Sequence, residues 1–385
     1  MGRYDERICL CALNRIFGYA PSKALALLEN IGPADRLFEM GGKALAEAMP
    51  YFKGLEKICD KSYEEAEKEL EDIEKKGCHF IGCTDSRYPR LLRQCPDASV
   101  GLYVRGDPDF GDCSDNRLFL AVIGTRDISE YGKEWCRRIV RMAVGGGRKV
   151  TVVSGLAYGT DITAHRTALQ LGAATIGVMA TGIDAVYPWR HRSEAEAMSS
   201  APGCALITDY PTRTAPVAAN FLRRNRIIAG MSDAVVLVES KIRGGGMMTA
   251  RLAFSYDRDV YALPGRADDI RSQGCNLLIR EKVAEAIISE QDFASALGLG
   301  PQIKKDDEAP AAALENTFSR SISATDIGAM SEILRTVRGR RGIGIDELAD
   351  VTGLGYRKVS ELTAMLECEG FISIDLAMRC SINLK

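Results

Sequence analysis

Several things are scarce or missing in this 385-residue chain, and each absence removes a class of function. No run of about 18 or more apolar residues occurs, so no helix of membrane-spanning length is expected. The first residues, MGRYDERICLCALNR, put charges ahead of a very short apolar run. That is not the pattern of a secretory signal, and the expected compartment is the cytoplasm. Charge of one sign is missing too: 50 Lys and Arg stand against 52 Asp and Glu, a net charge of −2. There are only three histidines (79, 165 and 191), and the twelve cysteines include no Cys-x-x-Cys. Zinc sites and disulfide frameworks need tighter grouping. The cysteines therefore read as small buried hydrophobes, and no metal is expected. Neither G-x-G-x-x-G nor G-x-x-x-x-G-K-[ST] is present, so no nucleotide cofactor is expected. No Ser–His–Asp order or H-E-x-x-H appears, and no catalytic set is assigned.

What the chain does have is a change of texture along its length, with room for two or three domains. Residues 1–79 read as a helical domain. Leu10, Leu13, Ile16 and Phe17 recur at helical spacing, and Tyr63, Ala66, Leu70 and Ile73 line a charged helix that Gly77 ends. Over residues 80–295, short β-rich apolar runs alternate with helical stretches. The runs are Leu118–Ile123, Val150–Val153, Ala174–Met179, Ala205–Ile207, Ala234–Val238 and Val260–Leu263. Near-continuous hydrophobic strands separated by helices indicate a parallel sheet covered on both faces, so the expected class is α/β, a Rossmann-like doubly wound sheet. Residues 296–322, rich in Gly, Pro, Ala and charge, read as a linker. Residues 323–385 give helix, helix–turn–helix and a small hairpin, the order of a winged-helix domain.

Ligands of open parallel sheets sit at the carboxyl ends of the strands, where this sequence places glycine-rich turns. The first is Gly124-Thr125-Arg126, in which a glycine admits close approach and an arginine fork suits a phosphate, although a solvated surface turn is the plainer alternative. The second runs Ser154-Gly155 to Gly159-Thr160-Asp161 ahead of a helix bearing His165. Its N–H groups would favour an anion. Asp161 and His165 lie four residues apart and could form an acid–base couple, but capping of the helix explains them more simply. The third informative segment is Phe221-Leu222-Arg223-Arg224-Asn225-Arg226. From Tyr210 to Ser232 there are four arginines and no acid. Three arginines near a helix start oppose its dipole, which makes sense if an anion sits among them, and Phe221 could stack a base. Arg243, followed by three glycines, opens a further helix.

At this point the ordered motifs resemble one family. Tyr88-Pro89-x-Leu91-Leu92 is followed by Leu102-Tyr103-x-Arg105-Gly106 and Ala121-Val122-Ile123-Gly124-Thr125-Arg126. Then come Ser154-Gly155-Leu156-Ala157-x-Gly159-x-Asp161-x-x-Ala164-His165, Gly182-x-Asp184-x-x-Tyr187-Pro188 and Phe221-x-x-Arg224-Asn225-Arg226, with Leu263-Pro264-Gly265 and Gly274-x-Asn276 closing the series. Over about residues 80–285 this is similar to the DNA-processing protein A (DprA/Smf) family. The resemblance implies a single-stranded-DNA-binding protein, not an enzyme, that protects incoming DNA and loads RecA recombinase in natural transformation. It also implies a homodimer and a basic phosphate pocket at Gly124, Thr125, Arg126, Arg224, Asn225 and Arg226. The sequence departs from the family pattern at Leu222, where proline is usual, at Thr208-Asp209, at Gly244 and Gly246, and at Glu281-Lys282. The alternative reading is a Rossmann-like enzyme of the nucleoside-monophosphate hydrolase type, with Asp161 or Glu239 as its acid.

Overall fold

The computed structural model describes residues 3–111, 116–299, 314, 317–318, 322–339, 343–374 and 378–382. The chain divides into two compact units, residues 1–302 and 303–385.

The first unit is built on a nine-stranded sheet. The strands are β1 (Cys78–Gly82), β2 (Gly101–Gly106), β3 (Leu118–Ile123), β4 (Val150–Ser154), β5 (Ala174–Val178), β6 (Ala205–Thr208), β7 (Ala234–Leu237), β8 (Asp259–Ala262) and β9 (Glu285–Ala286). Their order is β1-β2-β6-β5-β4-β3-β7-β8-β9. From β6 to β9 all neighbours are parallel, and β2 and β1 extend the sheet antiparallel beyond β6. The direction of travel reverses at β3. Leu120 stands opposite Val152 of β4 on one side and Ala234 of β7 on the other. That is the switch point, where βα loops diverge and leave a crevice.

Strand periodicity assigns side chains to two faces. Ala121 and Ile123 join Val235, Leu237 and Ile176 against α10 (Ala218–Gly230), α11 (Gly245–Ser255) and α12 (Gln273–Arg280). Leu120 and Val122 join Val152 and Val236 against α7 (Glu130–Gly145), α8 (Thr160–Gln170) and α13 (Glu290–Ala296). Burial on both faces is why these strands are almost continuously apolar. Strands β1 and β2 escaped the sequence reading. Polar His79 and Arg105 dilute their signal, and their pairing partners lie far away in sequence.

The amino-terminal helices do not form a body apart. Helices α1 (Glu6–Phe17), α2 (Pro21–Ile31), α3 (Ala34–Met40), α4 (Gly42–Ala48) and α5 (Asp60–Glu74) share a core with Phe80, Tyr103, Met198 and Leu206 of the sheet unit. Helix α1 starts where Asp5 accepts hydrogen bonds from the Arg7 and Ile8 amides. Its Leu10 lies against Gly82 so closely that a Cβ there would come within 2.5 Å of Leu10 Cδ1. The expected boundary at residue 79 thus falls inside one packed unit.

The second unit contains α14 (Ala324–Gly339), α15 (Ile345–Thr352) and α16 (Tyr356–Cys368), with a three-stranded antiparallel sheet of Ile343–Gly344, Arg379–Ile382 and Ile372–Ile374. Gly353 ends α15 at φ 67°, the left-handed C-cap that glycine favours. Most of the expected linker lies outside the described residues. Before it, Leu297 and Leu299 pack into the core beside α7.

Leu10→Ala removes a buried leucine from the shared core, and chemical denaturation should show a loss of about 2–5 kcal/mol. The whole first unit should unfold in a single transition at the lower midpoint, because the helices and the sheet share that core.

Candidate nucleic-acid interface

The loops after β3, β4, β5, β6 and β7 meet at the carboxyl edge of the sheet. They are held by backbone contacts that leave no room for side chains. The Thr125 amide donates to the Glu239 carbonyl at 2.8 Å, joining the loops on either side of the switch point. A Cβ on Gly124 would lie 2.4 Å from Thr160 Oγ1. Gly159, at φ 77°, would place one 2.3 Å from the Thr125 carbonyl oxygen. Both glycines therefore serve loop-to-loop packing, with Gly124 and Gly159 only partly accessible.

The second turn is satisfied from within. Ser154 is fully buried and donates to the Val122 carbonyl at 2.7 Å. Asp161 Oδ2 accepts from the Gly155 amide at 3.1 Å and the Ala157 amide at 3.3 Å. At the helix start, where N–H groups were expected to attract an anion, the Thr160 amide donates to the Thr125 carbonyl and the Ile162 amide to the Ala157 carbonyl, each at 3.2 Å. Burial raises the Asp161 carboxyl, and the Arg224 charge beside it opposes that rise. His165 is buried as well, its Nδ1 2.8 Å from Thr175 Oγ1. Burial first, then the charges of His191 and Arg224, lower it to about 3, so it stays neutral. Glu239 accepts from the Ser129 amide at 2.9 Å and from the Ser129 hydroxyl, which caps α7. Asp161, His165 and Glu239 are all committed to internal contacts. Among the described residues, no group of three His, Cys, Asp or Glu is placed to hold a metal.

The arginines of α10 separate into two sets, which corrects the expectation that all of them face a ligand. The helix begins at Ala218, so Arg223 to Arg226 lie beyond its first turn and do not confront the end of its dipole. Arg224 is 4% exposed and donates to the carbonyls of Gly155 (2.7 Å) and Val178. Gly155 has no side chain because the guanidinium fills the space: a Cβ would sit 2.1 Å from Arg224 Nη1. Burial pulls Arg224 down to about 10, although Asp161 supports its charge. Arg226 is 8% exposed, paired with Asp209 and bonded to Ser99 Oγ at 3.1 Å and to the Asp97 carbonyl. Burial lowers its affinity for the proton, but Asp209 and Asp97 more than offset this and hold it above its ordinary value. Asn225 is buried between these two. The acid-free segment gets its counter-charges from outside itself: Asp161 from a distant loop, and Asp209 from the residue just before the segment begins.

The second set faces outward. Arg126 is exposed, with its guanidinium carbon 5.1 Å from the Phe221 ring centre, and Phe221 meets Tyr187 edge-on at 5.5 Å. Tyr158, 41% exposed, packs on His191 at 4.9 Å, and Trp189 is 76% exposed. Arg223 and Arg243 are exposed too. Tyr187, Trp189 and Tyr158 were not singled out as candidates from the sequence; an aromatic on each side of Pro188 was the available signal. Cations stacked on exposed rings along one edge can hold phosphates and stack bases.

An open, mostly parallel sheet with its functional edge at a switch point, rimmed by arginine and aromatic side chains, defines a Rossmann-like α/β protein. Residues 79–298 match the family described as DNA recombination-mediator protein A, and the chain belongs to that family. It is 31% identical over 333 residues to Protein Smf of Synechocystis, covering 80% of this chain and 81% of the relative. With Protein Smf of Escherichia coli it shares 32% identity over 301 residues, 78% and 76% of the two chains. Among solved structures, DNA processing protein A from Streptococcus pneumoniae superposes with TM-score 0.58 at 27% identity, over 77% of this chain and 98% of that one. The Helicobacter pylori protein, solved to describe its single-stranded DNA binding mode, gives TM-score 0.50 at 28% identity over 57% and 95%.

Two outcomes follow from the buried groups. Asp209→Asn leaves Arg226 without its counter-charge, and unfolding should cost about 3–5 kcal/mol less. Arg126→Ala, at an exposed position, should stay within about 0.5 kcal/mol of the native protein. His165 is lowered in the folded state, so the unfolded chain takes up its proton first. Stability should fall as pH drops from about 6.5 towards 3, by up to about 1.4 kcal/mol per pH unit from this group. His165→Gln should flatten that part of the pH profile.

Proposed function

We propose that this chain binds single-stranded DNA along the carboxyl edge of its sheet, with little preference for sequence. The observation that carries the reading is the continuous contact of Arg126, Phe221 and Tyr187 on an open rim. The Arg126 guanidinium offers a charge to a phosphate, while the half-buried Phe221 ring and the exposed Tyr187 ring beside it offer π-faces to neighbouring bases, and every base has such a face. The binding mode described for the Helicobacter pylori relative supports the same ligand. Arg126 and Arg243 supply the accessible phosphate contacts and Phe221 the stacking surface. Arg224, Asn225 and Arg226, with Ser154, Gly155 and Gly159, act behind it by fixing the loops.

The finer steps rest on the family resemblance. They are that the protein works in the cytoplasm as a homodimer, protects incoming DNA in natural transformation, and passes the strand to RecA recombinase. In this reading it is a binding protein. The internal contacts of Asp161 and Glu239, and the complete burial of a neutral His165, support that.

Fluorescence anisotropy with labelled oligo-dT, titrated with salt, tests the ligand. Log affinity should fall linearly with log salt, and Arg126→Ala should weaken binding to unrelated sequences alike, reducing the magnitude of the slope by about 0.7. Folded native protein that fails to bind at low salt, yet hydrolyses a nucleoside monophosphate, would replace this reading with the enzyme one.

A further inference from the structure

The amino-terminal helices reach the same edge. Helix α1 is fastened to the loop after β6, where Asn14 Nδ2 donates to the Asp209 carbonyl at 2.8 Å. Just past the end of α1, Gly18 turns the chain; a Cβ there would meet the Asn14 carbonyl oxygen at 2.6 Å. The next residue is Tyr19. It is 62% exposed, and its ring lies 6.2 Å from that of Tyr210 in the loop after β6. The guanidinium carbon of Arg223 stands 4.4 Å from the centre of the Tyr19 ring.

Three features set this pair apart from an arginine merely covering apolar surface. The ring it covers is itself in solvent, so little apolar area is hidden. Among the described residues no carboxylate is paired with Arg223. Asp209 is taken by Arg226, and Glu69 by Arg15 and the Thr212 amide. Finally, Arg223 follows Phe221 by two residues on α10, so the two stacked pairs belong to the same helix, with their side chains leaving it on different sides.

We propose that the helical segment supplies a second station for the strand: Tyr19 stacks a base and Arg223 holds the adjoining phosphate. This extends the single-stranded-DNA reading above and rests on it. A strand that crosses α10 can reach both Phe221 and the Arg223–Tyr19 pair, so in this reading the amino-terminal helices are part of the binding surface as well as of the core. The ligand chemistry is the same at both stations, an aromatic face beside an unpaired guanidinium.

The test uses the full chain and oligo-dT of about 20 nucleotides, comparing native protein with Tyr19→Ala, Tyr19→Trp, Arg223→Gln and Arg126→Ala. Tyr19→Ala should weaken binding roughly tenfold, the scale of one lost base stack, and Tyr19→Trp should restore it. The salt slope should be unchanged in Tyr19→Ala, which removes no charge, and smaller by about 0.7 in Arg223→Gln. Thermal midpoints near the native value will separate lost contact from lost fold. Native protein that binds and loses affinity in Arg126→Ala, while Tyr19→Ala stays within about twofold of native, would overturn the second station and leave the first standing. A loss in Tyr19→Ala that tryptophan does not restore would overturn it too. Absence of binding by the native chain would remove both.

Discussion

The buried pair of Arg226 and Asp209 is the contact on which the rest of this edge depends. Asp209 follows β6 and Arg226 sits in the third turn of α10, so the pair fixes a helix against the end of a strand. The same carboxylate accepts from Ser99 Oγ at 3.1 Å, ahead of β2, and the Asp209 carbonyl receives Asn14 from α1. One residue thus ties four segments together. Two charges removed from water repay their desolvation only when such additional hydrogen bonds are made, and loss of one partner leaves the other stranded.

Arg224 does comparable work one residue away on the other loops. Its guanidinium takes the carbonyls of Gly155 and Val178, beside the Asp161 carboxylate that holds the Gly155 and Ala157 amides. Together these contacts tie the Gly155 and Val178 carbonyls and the Gly155 and Ala157 amides to the protein's own side chains. Rigid loops matter for a surface that binds by stacking, since side chains already in place lose less freedom when a ligand arrives. The division of labour on α10 is therefore between charges buried to hold the edge and charges exposed along it.

Much of this was legible in the sequence. The six apolar runs between residues 118 and 263 became β3 to β8, because strands buried on both faces leave no polar residues to obscure them. The glycine turns were recognisable as close approaches, but not what approaches them. At Gly155 and Gly159 it is a guanidinium and two carbonyls of the protein itself. The arginine cluster was visible as well, yet its acid-free window suggested a ligand anion where the structure supplies Asp209 and backbone carbonyls. Tyr19 carried no signal, since a lone exposed aromatic has no period.

By itself, then, the sequence determined the class of fold, the order of its six central strands and the helices between them, and the edge at which the loops converge. These depend on local propensity and on the periodic placement of apolar residues, both of which are properties of short stretches of chain. Only the tertiary structure decided which charges are spent internally and which remain for a partner. That depends on contacts between loops, and two neighbouring arginines, 223 and 224, look the same until the loops around them are in place.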